Sequence, residues 1–129
     1  MKLSLLVLDP TFAICSLKRD SPLPDWATSS DFYSITRTYD ELSIVCPQEQ
    51  IPANVEINKN WRCLKVQGPL GFSITGILAS ISMPLSAEGV SVFVFSSYDT
   101  DHIMVKQYEL EKAMDVLQKA GHTIKYQHG

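Results

Sequence analysis

The clearest alternation of apolar and polar positions lies in the second half of the chain. Trp61–Gln67 alternates as a strand, and a glycine-rich break at 68–71 precedes apolar residues at helical spacing. This spacing predicts an amphipathic helix resting on a sheet, ended with the help of Pro84 and Gly89. Its apolar stripe consists of Ile74, Ile77, Leu78, Ile81 and Leu85.

The remainder of this half predicts a hairpin, a second helix and a closing strand. Residues 90–95 are β-branched and aromatic, and a turn at 98–101 precedes a strand at 102–105. The second helix carries Leu110, Ala113, Met114 and Leu117 on one face, with Gly121 as its C-terminal cap. A closing strand at 123–127 completes the ferredoxin-like βαββαβ order, an α+β fold with one antiparallel sheet and both helices on one face.

The first half repeats this plan in a weaker form. Residues 38–45 (TYDELSIV) align with residues 97–104 (SYDTDHIM), and both follow a strand-like run. Prolines in the first copy leave room for only about one or two helical turns. We therefore predict two ferredoxin-like units, 1–58 and 59–129, with stunted helices in the first and their boundary within 53–60.

Composition limits the class of protein but does not identify a ligand. An apolar share of 45% and a charged share of 19% are ordinary for a globular chain of 129 residues. A net charge of −3 without a basic cluster argues against nucleic acid as a partner. Asp9-Pro10 interrupts the apolar start, and no run reaches the roughly 20 residues that span a bilayer, so we expect a cytoplasmic location without membrane contact. The scattered cysteines are expected to be buried thiols.

Catalytic and metal-binding patterns are not apparent in the sequence. It contains no nucleophile elbow, P-loop or dinucleotide fingerprint. His102 stands beside Asp101, but adjacent strand residues point to opposite faces and no further ligand follows at metal spacing. We therefore expect a protein that is not an enzyme and uses neither a cofactor nor a metal.

A candidate binding site lies where the first helix of the second half begins. The turn ending in Gly71 brings early helical N–H groups to the surface, and such groups attract a carboxylate. Gly76 lowers helix stability by roughly 1 kcal/mol relative to alanine, which indicates either close approach of a ligand or another chain, or helix-on-sheet packing. Asp101 can pair with an ammonium or guanidinium group, or it can be a solvated turn residue, as we expect of Asp99.

Five blocks of the sequence are more specific than its composition. They are 32–38 (FYSITRT), 40–46 (DELSIVC), 61–66 (WRCLKV), 68–70 (GPL) and 96–101 (SSYDTD). Together they resemble the small tandem ACT-domain proteins related to the cytosolic arginine-sensor family, over nearly the whole chain.

The resemblance implies a regulatory sensor module that binds an amino acid or a similar small molecule at an interface between ACT units. The residues it implies in binding are Gly71, Phe72, Thr75, Gly76, Ile77, Ser97, Tyr98 and Asp101. A homodimer is expected, because each small sheet leaves edges or a face to cover. The alternatives are an adaptor that binds protein partners through its sheet or helix faces, and an enzyme without a recognisable motif.

Overall fold

The computed structural model describes residues 1–68 and 75–128. Its strands are β1 (Ser4–Leu17), β2 (Ser34–Arg37), β3 (Leu42–Pro47), β4 (Asn58–Val66), β5 (Phe93–Ser96), β6 (Asp101–Lys106) and β7 (Thr123–Tyr126). Its α-helices are α1 (Ile77–Ala87) and α2 (Leu110–Lys119), and short 3-10 helices lie at Asp25–Thr28, Gln48–Gln50 and Gln107–Glu109. The second half thus has the predicted order of strand, helix, strand, strand, helix and strand.

The chain divides into two compact units. The larger unit comprises Met1–Asp9 and Arg62–Gly129, and the smaller unit comprises Pro10–Trp61. The division follows packing and not chain order, because β1 and β4 each contribute residues to both units.

The larger unit contains a mixed sheet with the strand order β7, β1, β4, β6, β5. β5 and β6 form the predicted antiparallel hairpin, in which Phe93 lies opposite Met104. β7 pairs in parallel with the first part of β1, with Ser4 opposite Thr123. The expectation of a purely antiparallel sheet was therefore wrong, because β1 occupies the position beside β7 and runs in the same direction.

The helices of the larger unit cover its core as their periodicity predicts. The core is formed by Leu5, Val7, Leu64, Val66, Ile77, Ile81, Leu85, Val90, Ile103, Val105, Leu110, Ala113 and Leu117. Leu78, assigned to the apolar stripe, is instead 40% exposed, and Ile74 lies outside the described residues. Pro84 lies inside α1 and does not end it, whereas Gly89 follows the helix with a positive φ of 75°. None of the described helices is long and apolar enough to cross a membrane.

The smaller unit contains β2, β3 and the second part of β1, paired in that order. Both pairings are antiparallel, with Ile44 of β3 between Cys15 of β1 and Ile35 of β2. The helices are reduced to the 3-10 turns at Asp25–Thr28 and Gln48–Gln50, each preceded by a proline. The prediction of stunted helices is therefore confirmed for this part of the chain.

All three cysteines are buried and free, as expected from their apolar surroundings. Cys15 and Cys46 belong to the core of the smaller unit, whereas Cys63 lies on β4 in the larger unit. Burial raises the pKa of the Cys46 thiol to about 11 and that of Cys63 to about 12. These thiols are therefore protonated at neutral pH and act as apolar core groups.

The two hairpins correspond residue by residue, as the sequence repeat predicts. β2 and β3 match β5 and β6 in length, and a 3-10 helix follows the second strand of each pair. The turns close alike: the N–H of Thr38 donates to the carbonyl oxygen of Glu41 at 2.8 Å, and that of Ser97 to the carbonyl oxygen of Thr100 at 2.9 Å. The repeated Tyr-Asp turn therefore encodes one hairpin geometry twice.

Candidate functional site

The turn of the β5–β6 hairpin presents the polar side chains predicted to meet a ligand. Ser97 closes the turn on Thr100 through its N–H, and its hydroxyl donates to the same carbonyl oxygen at 3.3 Å. The Tyr98 side chain is 80% exposed. Asp101 begins β6, and its Oδ1 accepts a hydrogen bond of 2.6 Å from the hydroxyl of Ser96. The acidic group is thus held in one orientation at the base of the turn.

The end of β4 lies directly beside this turn. The hydroxyl of Thr100 donates a hydrogen bond of 2.6 Å to the carbonyl oxygen of Val66, the last residue of β4. Gly71 and Phe72, two of the predicted site residues, follow Val66 in the sequence. Those two residues lie outside the described part of the chain. Sequence reasoning did not single out Thr100, because a threonine in a polar turn gives no signal that it is buried.

The start of α1 supplies the other predicted element of the site. Gly76 precedes the helix with a φ of 81°, a left-handed conformation that favours glycine. An added Cβ there meets nothing within 4 Å, so backbone conformation, and not packing within the chain, explains this glycine. Thr75 is exposed, whereas the Ile77 side chain is buried in the core, so Ile77 can offer only its backbone to a ligand. The left-handed conformation is thus a reason for Gly76 that sequence reasoning did not give, because it placed this glycine inside the helix.

His102 of the larger unit serves packing. The His102 ring is buried and stacks on Phe95, with ring centroids 4.9 Å apart and planes 8° apart. Burial and the nearby Lys65 ammonium hold the pKa of His102 below its usual value. No group of three or more His, Cys, Asp or Glu side chains in residues 1–68 and 75–128 is arranged to hold a metal ion.

His122, which follows Gly121 at the end of α2, forms hydrogen bonds with two distant parts of the chain. Its Nδ1 accepts a hydrogen bond of 3.1 Å from the Leu3 N–H, and its Nε2 lies 2.9 Å from the carbonyl oxygen of Ser80. The neutral ring with its proton on Nε2 satisfies both contacts. His122 thereby joins the start of β1 to helix α1, and no sequence signal revealed this, because the partners are main-chain groups far away in the chain.

A shallow groove of about 420 Å³ begins at the start of α1. It is lined by Met1, Gly76, Ala79, Ser80, Met83, Pro84, Ala120 and His122. Most of these side chains are apolar. Both ring nitrogens of His122 are already engaged with backbone groups. Of the predicted site residues described in the structure, only Gly76 borders this groove.

Comparisons with solved structures identify relatives with the same architecture. Protein Atu0741 from Agobacterium tumefaciens is 42% identical, with a TM-score of 0.93, and the match covers 100% of this chain and 96% of that chain. The regulatory subunit of aspartate kinase from Thermus flavus is 11% identical, with a TM-score of 0.64, over 93% of this chain and 99% of that chain. The second likeness concerns the fold alone, which is mixed α/β.

Comparisons with curated proteins identify relatives described as sensors. The cytosolic arginine sensor for mTORC1 subunit 1 of Rattus norvegicus is 32% identical over 101 residues, which are 72% of this chain and 30% of that protein. The human counterpart is 30% identical over 107 residues, which are 77% of this chain and 32% of that protein. The chain thus spans about a third of the length of these curated relatives.

Family matches cover both parts of the sequence. Residues 10–54 match a family of N-terminal domains, and residues 56–119 match the ACT domain. The second match includes α1, the β5–β6 hairpin and every predicted ligand-binding residue. Together with the curated relatives, which are 30–32% identical over 72–77% of this chain, this match shows that the chain belongs to the ACT-domain family.

Proposed function

We propose that this protein is a non-enzymatic regulatory module that binds a free amino acid in its larger unit. The observation that carries the proposal is the ACT-domain match at 56–119, which contains the candidate site. Relatives named as arginine sensors support an amino acid as the ligand class. The regulatory subunit of aspartate kinase from Thermus flavus shares the fold, and its support for the proposal is limited to the fold.

The chemistry of the site suits the two charged groups of an amino acid. Asp101 provides a negative charge for an ammonium or guanidinium group. The N–H groups of the first turn of α1, beginning at Ile77, point out of the N-terminal end of the helix. Such a helix end attracts a carboxylate. Exposed Thr75 and Gly76 leave that helix end accessible. The ligand would therefore be recognised at both ends by opposite charges.

Two further pairs of residues complete the proposed site. Ser97 and Tyr98 lie on the exposed hairpin turn, before Asp101. Gly71 and Phe72 follow β4 in the sequence, and the family resemblance assigns them to the site. The bond between Thr100 and Val66 supports the assignment, because it joins the hairpin turn to the strand that precedes these two residues in the sequence.

The proposal extends to organisation and location. We propose that 1–58 and 59–129 are two ferredoxin-like copies of one repeat, that the protein forms a homodimer, and that it acts in the cytoplasm. The matching hairpins support the repeat, and relatives named as cytosolic support the location. Sedimentation at high concentration tests the dimer, which a strict monomer with and without amino acids would refute.

Calorimetric titration with each of the twenty amino acids tests the ligand class. We expect heat with at least one of them and a matching rise in melting temperature, because a ligand that binds only the folded state stabilises it by mass action. Titration with the corresponding amides and decarboxylated amines serves as the control, since each lacks the carboxylate. Absence of heat with every amino acid would refute the proposal and favour an adaptor that binds protein partners.

A further inference from the structure

Thr100 has an unusual environment for a residue of a hairpin turn. It is only 5% exposed, and its hydroxyl donates a hydrogen bond of 2.6 Å to the carbonyl oxygen of Val66. Burying a hydroxyl is unfavourable unless it is hydrogen-bonded, so this contact restricts where the turn can lie. It fixes the turn against the last residue of β4.

The end of β4 is held from its other side as well. The N–H of Gln67 donates a hydrogen bond of 2.8 Å to the carbonyl oxygen of Ser4 on β1. Farther along, the Ser80 N–H donates to the carbonyl oxygen of Gly76 at 2.9 Å, which begins the hydrogen bonding of α1. The end of β4 and the start of α1 are therefore each held by hydrogen bonds, and Thr100 supplies one of those at the end of β4.

Thr100 also closes the turn through its main chain. Its carbonyl oxygen accepts hydrogen bonds from the N–H and the hydroxyl of Ser97. The next residue is Asp101, whose carboxylate is bonded to Ser96. One residue thus connects the polar turn to the strand end, with its main chain on the turn and its side chain on Val66.

The corresponding hairpin of the smaller unit shows that this side-chain bond is not needed to form the turn. Glu41 occupies the position of Thr100, and its carbonyl oxygen accepts the same closing bond from Thr38. Its side chain instead accepts a hydrogen bond of 2.8 Å from the hydroxyl of Ser16, at the surface. Turn closure is common to both copies, whereas the bond to a strand end is a property of Thr100.

We propose that Thr100 is a positioning residue of the ligand site. Its bond to Val66 holds the turn with Tyr98 and Asp101 in a fixed position relative to the end of β4. The proposal rests on the proposed function, because it assigns Thr100 a role in amino-acid binding without direct contact with the ligand.

Two substitutions at one position test this role. Thr100→Val keeps the shape of the side chain and removes the hydroxyl, whereas Thr100→Ser keeps the hydroxyl. We expect Thr100→Val to weaken binding of the amino acid identified by calorimetry about tenfold, and Thr100→Ser to remain within about threefold of the unsubstituted protein. Glu41→Gln is the matched control in the other hairpin and should leave affinity unchanged.

Amide hydrogen exchange provides a readout independent of the ligand. Loss of the bond to Val66 should accelerate exchange at Ser97 in Thr100→Val about tenfold, while the Thr38 amide exchanges as before. Unchanged exchange at Ser97 would refute the positioning role. Accelerated exchange with unchanged affinity would confine Thr100 to stability and also refute the proposal.

The two proposals fail in different ways in this experiment. An unsubstituted protein that binds no amino acid refutes the proposed function and, with it, a role of Thr100 in binding. A protein that binds an amino acid equally well with and without the Thr100 hydroxyl refutes only the positioning role.

Discussion

The hydroxyl of Ser96 donates a hydrogen bond of 2.6 Å to Oδ1 of Asp101, its partner across the β5–β6 hairpin. The bond orients the proposed cation-binding carboxylate before any ligand arrives. We expect Asp101→Asn to weaken amino-acid binding by well over tenfold, because losing one side of a charge-assisted contact typically costs about 2–5 kcal/mol. Calorimetry measures the effect.

The control for this substitution lies in the same turn. Asp99→Asn changes the net charge by the same amount, two residues away from Asp101, at an exposed position. Its affinity should remain close to that of the unsubstituted protein. Equal losses in both variants would indicate a general electrostatic effect and contradict a specific contact with Asp101.

His102 should make stability depend on pH. Burial, followed by the nearby Lys65, holds the pKa of the folded ring below its usual value, so the unfolded chain takes up a proton at a higher pH than the folded protein. The stabilisation from the neutral ring is therefore present above about pH 6.5 and is lost as the pH falls toward the pKa of the folded state.

Denaturant titrations from pH 7.5 to pH 5 measure this contribution. His102→Gln should lower stability at pH 7.5, because the stack on Phe95 is lost. It should also reduce the pH dependence of the free energy of unfolding, because the substituted protein lacks this titrating group. One such group contributes at most about 1.4 kcal/mol per pH unit. Parallel curves for the two proteins would contradict a buried neutral His102.

Local sequence patterns accounted for much of the fold. The helix α2 was predictable because its apolar residues repeat at helical spacing and Gly121 follows it with a positive φ. The hairpins were predictable because turn chemistry depends on a few adjacent residues. The position of β1 beside β7 was not, because strand pairing between distant segments leaves no trace in periodicity.

The candidate site was only partly predictable for the same reason. Asp101 and Gly76 were singled out by residue type and position in a turn. The bond from Thr100 to Val66 joins residues far apart in the chain, and neither residue type indicates it.

Gly76 should tolerate substitution according to backbone conformation and not to size. Its φ of 81° places it in the left-handed region, and an added Cβ has open space around it. Gly76→Ala should therefore lower the free energy of unfolding by about 1–2 kcal/mol, and Gly76→Asn by less, because asparagine adopts this conformation more readily. Denaturant titration measures both. A larger loss for Gly76→Asn than for Gly76→Ala would point to a steric cause.

The first part of β1 should be essential to the larger unit. Leu5 is fully buried in the core of that unit, whereas its neighbour Ser4 is exposed. We expect Leu5→Ala to reduce the free energy of unfolding by about 2–5 kcal/mol, and Ser4→Ala to change it by less than about 0.5 kcal/mol. A small effect of Leu5→Ala, measured by denaturant titration, would contradict its place in the core.

The buried thiols allow unfolding to be followed in each unit separately. Cys15 and Cys46 report on the smaller unit, and Cys63 reports on the larger one. The raised pKa of Cys46 and Cys63, caused chiefly by burial, makes the folded protein resist alkylation at pH 8.

Because β1 and β4 contribute residues to both units, we expect all three thiols to become reactive over the same range of denaturant. Brief alkylation at increasing urea, followed by peptide mass spectrometry, measures each site. Labelling of Cys15 and Cys46 at clearly lower urea than Cys63 would show that the smaller unit unfolds independently.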